Sequence, residues 1–235
     1  MKKLMALIYK DIIQMKFSLI MNLLLDILFI VISIFALVEF RQTPPEGMDV
    51  GSIDYAFEFC SRVISFMFVA IITPYSLVMN SVSIDEKSQF TKFILASGGS
   101  RSLIVNQKTL FGFFASIPSF IYMIAMPIFL LTSGNEFLNA GFAFGIMIYG
   151  ILSILFLNSL SILYSSIFSS ISNQAIGVII FMIVGGLLYG GIYLGMSFLG
   201  TNNALYFFYG VAGALIALIV GCHFAAIKIY QHKDF

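Results

Sequence analysis

Residues 17–38, "FSLIMNLLLDILFIVISIFALV", form an unbroken apolar run with one acid, Asp26, near its middle. A helix needs about 20 apolar residues to cross the ~30 Å hydrocarbon core of a bilayer, and this run has that length. The whole chain has the same character, since 60% of its 235 residues are hydrophobic, 10% are charged and the mean hydropathy is +1.02. Because soluble chains carry about 25% charged residues, this composition predicts a membrane protein.

Five further apolar runs of similar length follow along the chain. Together with the first, the predicted spans lie near residues 17–38, 63–82, 110–131, 141–163, 175–196 and 205–227. Helices are expected, because a helix satisfies its backbone polar groups within the segment. The pieces between the spans are too short for a core of their own. Residues 1–235 are therefore predicted to form a single all-α polytopic transmembrane domain.

The distribution of Lys and Arg predicts the orientation of these spans. Six spans place both termini on one side, and ten of the twelve Lys and Arg residues fall on that side. The other side holds only Arg41 and Arg62. Because cytoplasmic loops are enriched in Lys and Arg, both termini and the loop 83–109 are predicted to be cytoplasmic in a multi-pass protein of the cell membrane. Cys60 and Cys222 then lie on opposite sides, and no disulfide is expected.

The segment before the first span, residues 1–16, has the pattern of an amphipathic helix. Apolar residues recur at helical spacing: Leu4, Ile8, Ile12 and Met15. Charged residues are expected largely on other faces: Lys3, Lys10 and Asp11. Such a segment is suited to lie in the membrane interface, so an N-terminal interfacial helix is predicted. The alternative is a simple cytoplasmic start of the first span.

Charge is concentrated in one internal stretch, residues 85–108, "DEKSQFTKFILASGGSRSLIVNQK". Within a predicted helix over 85–97, four residues share one face: Phe90, Phe93, Ile94 and Ser97. Gly98 and Gly99 are expected to end this helix, since glycine accepts the left-handed conformation of a helix stop. Ser100 is expected to cap the next helix. The alternative is a solvated loop whose aromatic residues rest on the membrane surface.

These features resemble the type 2 permease subunits of ABC transporters. In that family the loop between spans two and three carries an acidic residue, an apolar-aromatic helix, a small-residue turn, a Ser-Arg pair and a Lys. The matching stretches are Asp85-Glu86-Lys87, Phe90 to Leu95, Ser97-Gly98-Gly99, Ser100-Arg101 and Lys108. The family often has a proline in the turn, where this chain has glycines. The stretches "LIYKDIIQMK" (7–16) and "SSIFSSISN" (165–173) also fit. Within that family the chain resembles the small Gram-positive permeases that are similar to the phenol-soluble modulin exporter.

The resemblance implies a permease whose cytoplasmic coupling helix, between spans two and three, docks on an ATPase subunit. The implied coupling residues are Asp85, Glu86, Lys87, Phe90, Phe93, Ile94 and Arg101. The chain has no G-x-x-x-x-G-K-[ST] motif, so it is expected to be no enzyme itself and to hold no cofactor. ATP and Mg²⁺ belong to the partner. A second permease subunit, identical or not, is implied, and the exported cargo is implied to be an amphipathic peptide or another hydrophobic substrate.

Polar and small residues within the spans suggest further roles. Asp26 is costly in lipid and is expected to face the bundle, another subunit or water. It either lies on the translocation path or is a structural acid bonded to Asn22 or to a serine across the bundle. Glycines of the fifth span recur at spacing four, in the pairs Gly186/Gly190 and Gly191/Gly195. Such patterns permit close helix approach, either within the subunit, for example against span six, or against a partner.

Two other classes of function compete with the ABC permease. An ion-coupled secondary transporter of small hydrophobic compounds would need midplane ionisable residues or broken helices, and Asp26 is the single candidate in the sequence. An intramembrane enzyme is disfavoured, because the sequence lacks H-E-x-x-H, paired midplane aspartates and a Ser/His arrangement. No metal site is predicted, and there is no basic patch suited to nucleic acid.

Overall fold

Helices account for nearly all of the computed structural model, which describes residues 2–44, 47–132, 134–168, 174–198 and 203–232. Within these ranges there are nine helices and no strand. They are α1 (Lys2–Gln14), α2 (Lys16–Gln42), α3 (Ile53–Lys87), α4 (Phe90–Ala96), α5 (Arg101–Ala115), α6 (Ile117–Leu131), α7 (Ala140–Ile167), α8 (Gln174–Ser197) and α9 (Asn203–His232). The predicted all-α fold is confirmed. The serine-rich stretch 165–173 lies mostly outside the described residues.

Each of the six predicted apolar runs lies within a helix, with the third divided between α5 and α6. Among the described residues, four helices are long and apolar enough to cross a membrane: α2, α7, α8 from Ile179 and α9. The pair α5–α6 adds a fifth candidate, bent by 43° at its break. The chain is thus a polytopic helical membrane protein by helix length and composition, while the count of six spans stays a prediction.

The break between α5 and α6 falls at Ser116, two residues before Pro118. Proline lacks the backbone N–H that would continue the α5 ladder, and its ring collides with the preceding turn. The freed polar groups are satisfied locally. The Ser116 hydroxyl donates to the Gly112 carbonyl at 2.7 Å, and the Asn158 amide donates to the Ser116 hydroxyl at 2.8 Å. The third apolar run is therefore kinked next to Pro118, and the kink is stabilised by Asn158 of α7.

The bundle is built around α7, more than half of whose residues are buried. It packs along α9 and against α3. Gly150 permits the approach of α3 and α6, since a Cβ there would lie 2.6 Å from Met123 Sδ and 3.0 Å from Met67 Cε. By contrast, α2 lies at the periphery and buries only four residues: Asp26, Ser33, Leu37 and Phe40. Its remaining apolar surface suits contact with lipid or with another subunit.

The glycines of α8 fall into two groups. A Cβ on Gly191 would lie 3.0 Å from Tyr149 Oη of α7, and one on Gly195 would lie 2.8 Å from a ring carbon of Phe207 of α9. These two glycines therefore pack within the subunit, and Gly195 does so against the predicted sixth span. The other two meet nothing within 4 Å: Gly186 and Gly190. The small-residue pattern thus serves internal packing along only one side of α8.

Candidate functional site

The charged stretch 85–108 folds into the end of α3, the short helix α4 and the start of α5. The prediction of one helix over 85–97 is wrong at its start, because α3 continues through Lys87 and Gln89 then adopts a left-handed conformation, φ 54°. The predicted stop is confirmed, with Gly98 at φ +77°. The predicted cap is also confirmed, since the Ser100 hydroxyl accepts a hydrogen bond from the Leu103 N–H at 3.2 Å.

Four charged side chains meet where α1 crosses α3 and α5, and they are called here the charge cluster: Lys10, Asp11, Asp85 and Lys108. Lys108 Nζ lies 2.6 Å from Asp85 Oδ2 and 3.1 Å from Asp11 Oδ2. Lys10 Nζ lies 3.1 Å from Asp11 Oδ1 and also pairs with Asp85. Three of the four residues are no more than 2% exposed. Two positive and two negative charges cancel in this buried junction.

Neutral groups complete the charge cluster. Lys108 Nζ donates to the Ser81 hydroxyl at 2.6 Å, and Gln107 Nε2 donates to Asp11 Oδ2 at 2.7 Å. Buried charges are tolerated only when they are paired and hydrogen-bonded in this way. The expectation that Asp11 lies on the polar face of α1 is therefore wrong, because α5 supplies its partners. Ile12, expected on the apolar face, is 38% exposed.

The seven predicted coupling residues separate into outward and inward sets. Phe93 is 67% exposed, and Lys87 is exposed at the end of α3. Glu86 is half-buried beside them. Ile94, predicted as a docking anchor, is instead buried against α5 and the end of α9 because it fills the space beneath α4. Asp85 is likewise unavailable at the surface, since it belongs to the charge cluster.

Phe90 and Arg101 hold α4 and α5 to the rest of the protein. The ring of Phe90 lies under Lys10 Nζ at 3.9 Å, a cation–π contact between α4 and α1. Arg101 donates to the backbone carbonyls of Tyr230 (3.3 Å) and Gln231 at the C-terminal end of α9. An arginine suits this position, because helix C-termini present unsatisfied carbonyls and partial negative charge. Both residues therefore fix the position of α4 from within the subunit.

A groove of about 280 Å³ separates α1 from α4. Phe93 stands at its edge, and its ring stacks against Phe90 with centroids 6.2 Å apart. The lining includes Ala6 and Leu7 of α1 and Leu103 of α5. In helix-in-groove docking a helix inserts apolar side chains into a groove of its partner, and an exposed aromatic residue such as Phe93 can serve as such an anchor. Of the predicted anchors Phe90, Phe93 and Ile94, the structure leaves only Phe93 largely exposed, and the docking role stays a prediction.

Asp26 occupies a second polar position, deep in α2 and 3% exposed. It accepts hydrogen bonds from Thr73 Oγ1 at 3.3 Å and from Ser119 Oγ at 3.4 Å. The alternative bond to Asn22 is not formed, whereas the predicted contact with a serine across the bundle is. Ser119 lies three residues beyond the break at Ser116, so Asp26 faces the bend between α5 and α6.

The charge cluster was missed by the sequence argument, although a local signal existed. Ile8, Asp11 and Met15 are spaced three and four apart and are all buried, so Asp11 shares the buried face of α1.

No described group of three or more His, Cys, Asp or Glu side chains could hold a metal ion. Comparisons with protein-family models, with curated proteins and with solved structures find no match to this chain.

Proposed function

We propose that this chain is the permease subunit of an ATP-driven ABC exporter of the type 2 class. Its six spans would be α2, α3, the bent pair α5–α6, α7, α8 and α9. The observation that carries the proposal is α4, a short helix at the end of the bundle that presents Phe93, 67% exposed, beside an apolar groove. Phe93 lies outside the predicted spans, so the bilayer does not require an aromatic residue there, and its exposure suits docking of an ATPase subunit.

The contacts of α4 support a coupling role for it. Displacement of Phe93 would move Phe90 through their stacked rings. Phe90 would in turn move Lys10 through the cation–π contact. Lys10 belongs to the charge cluster, which joins α1 to α3 and α5. Movement of α4 by the ATPase would therefore move three helix ends together. Glu86 and Lys87, which flank α4, would set the register of docking by charge.

The cargo and the assembly follow from the same proposal. The exported substrate would be amphipathic or hydrophobic, such as a peptide, as the resemblance to the type 2 permeases implies. A second permease, identical or a paralogue, would pack in the membrane and complete the path. ATP and Mg²⁺ would bind only the partner ATPase, since this chain has no phosphate-binding loop.

A second candidate, an ion-coupled secondary transporter of small hydrophobic compounds, is favoured by one observation. Asp26 lies beside a helix broken at Ser116, and intramembrane acids at broken helices are typical of ion-coupled transporters. The two candidates differ in the energy source. The ABC proposal needs a second protein, whereas the secondary transporter works as the permease alone.

Purification of the tagged chain from its native membrane in mild detergent tests the proposal. We expect a subunit with a G-x-x-x-x-G-K-[ST] motif to co-purify and the complex to hydrolyse ATP. A matched preparation washed with high salt should lose part of this subunit if charge sets its register. Transport by the chain alone in vesicles, driven by an ion gradient without ATP, would contradict the proposal and favour the second candidate.

The proposed orientation predicts where added cysteines react. Ser88 and Gly51 are both exposed, at opposite ends of α3. With the native Cys60 and Cys222 changed to alanine, a cysteine at Ser88 should react with an impermeant thiol reagent only in opened membranes. A cysteine at Gly51 should react in intact cells. The reverse pattern would invert the topology and place α4 on the side without ATP.

A further inference from the structure

A pocket of about 220 Å³ opens beside Asp26, between α2 and the bend of α5–α6. Its lining includes Asn22, Leu23, Asp26, Leu77, Phe114 and Pro118. One end is therefore polar and the rest is apolar. The coupling to the ATPase that is proposed for α4 does not involve this pocket.

The acid in this pocket differs from the other buried acids of the described residues. Asp11 and Asp85 each pair with lysine ammonium groups. Asp26 accepts only two long hydrogen bonds, 3.3 Å and 3.4 Å, and both donors are neutral hydroxyls. Within the described chain no Lys, Arg or His nitrogen pairs with it. A carboxylate buried in this way is stabilised when a cation occupies the space that it faces.

The mouth of the pocket faces the side of the bundle rather than its end. Leu23 and Phe114 at the rim are each 43% exposed, and both lie in predicted spans. A molecule that reaches the pocket therefore enters from the bilayer. Asn22 also lines the pocket, one turn from Asp26, and its amide makes no hydrogen bond to a described residue. The Asp26 carboxylate and the Asn22 amide could therefore both bind one small polar group of a ligand.

We propose that this pocket binds the ammonium group of an apolar amine that has partitioned into the membrane. An ammonium carries three N–H donors, and Asp26 together with the Asn22 carbonyl supplies acceptors for it. The hydrocarbon part of the amine would lie against Leu23 and Phe114 at the rim. If the bound amine is exported, the cargo is a positively charged amphiphile, and this part of the inference rests on the proposed transport function. Binding itself requires no ATPase.

The test uses the purified full chain in phosphatidylcholine nanodiscs without any ATPase. A photoreactive dodecylamine is the probe, and peptides cross-linked to it are mapped by mass spectrometry. We expect cross-links on α2 and α5 near Asp26, displaced by dodecylamine but not by dodecanol. Asp26→Asn should weaken apparent binding about tenfold or more, as loss of a charged hydrogen bond does. Asp54→Asn, which removes an exposed acid, should leave binding unchanged.

Leu23→Trp provides a second variant that keeps the carboxylate and narrows the mouth of the pocket from its lipid-facing rim. It should also weaken labelling, and it decides the question if Asp26→Asn does not fold. Equal labelling of wild type and Asp26→Asn, equal competition by dodecanol, or protection by sodium ions alone would each overturn the inference. If labelling fails while an ATPase still co-purifies, the transport proposal stands and only the ammonium site falls.

Discussion

Replacing Lys108 with Met is expected to lower the free energy of unfolding by about 3–5 kcal/mol, the usual cost of removing one partner from a buried ion pair. Lys108 Nζ contacts both carboxylates of the charge cluster, at 2.6 Å from Asp85 and 3.1 Å from Asp11. Without it, two buried negative charges share the single remaining ammonium of Lys10. Because methionine fills a volume similar to that of lysine, the decrease in the free energy of unfolding measures the lost charge interactions rather than lost packing.

The effect of Lys108→Met can be measured by equilibrium unfolding in mixed micelles, together with hydrogen exchange of α1. Lys87→Met is the matched control, because Lys87 is exposed and an exposed charge contributes at most about 1 kcal/mol. The double variant Lys108→Met with Asp85→Asn restores neutrality and should recover much of the loss. A loss for Lys108→Met no larger than for Lys87→Met would mean that the charge cluster does not hold α1 in place.

Replacing Phe93 with Ala is expected to weaken binding of the ATPase subunit by about 2 kcal/mol, or roughly thirtyfold, as for an aromatic anchor at the centre of an interface. Expression and folding should not change, because Phe93 is 67% exposed. Phe90 is a poorer choice for this test, because its ring also contacts Lys10. A substitution at Phe90 would reduce both ATPase binding and the stability of the permease itself, so the two effects could not be separated.

Phe224→Ala is the matched control for Phe93→Ala. Phe224 is 65% exposed, but it lies on α9 within the predicted sixth span, where lipid is the expected neighbour. Co-purification of the ATPase from detergent extracts should fall for Phe93→Ala and stay at the wild-type level for Phe224→Ala. Undiminished ATPase binding by Phe93→Ala would remove α4 as the docking element and with it the observation that carries the proposed function.

Much of the fold could be predicted because its signals are local. Apolar runs near 20 residues predict helices by length alone, and all six lie in helices. Gly98 and Ser100 mark a helix end and a helix start through their own backbone and side-chain chemistry. Pro118 marks the break of the third run for the same reason. These features depend on neighbours within one or two turns.

The candidate site was harder to predict because its decisive contacts are distant in sequence. Asp11 meets Lys108 across 97 positions, and no local rule relates the two. The sequence pattern also predicts Asp85 and Ile94 on a docking surface, because the distant residues that cover them cannot be read from it. The bundle buries both side chains. The left-handed Gln89 that ends α3 also has no compositional cue, since glutamine rarely adopts positive φ.

The charge cluster has a consequence for how the protein is made. Asp11 leaves the ribosome 97 residues before Lys108, its partner in α5. At typical rates of 5–20 residues per second, α1 waits roughly 5–20 s for that partner. During this time its charges must stay hydrated at the membrane surface, because burying them unpaired is unfavourable. The first helix to be synthesised therefore cannot complete its contacts until the end of α3 and the start of α5 have also been made.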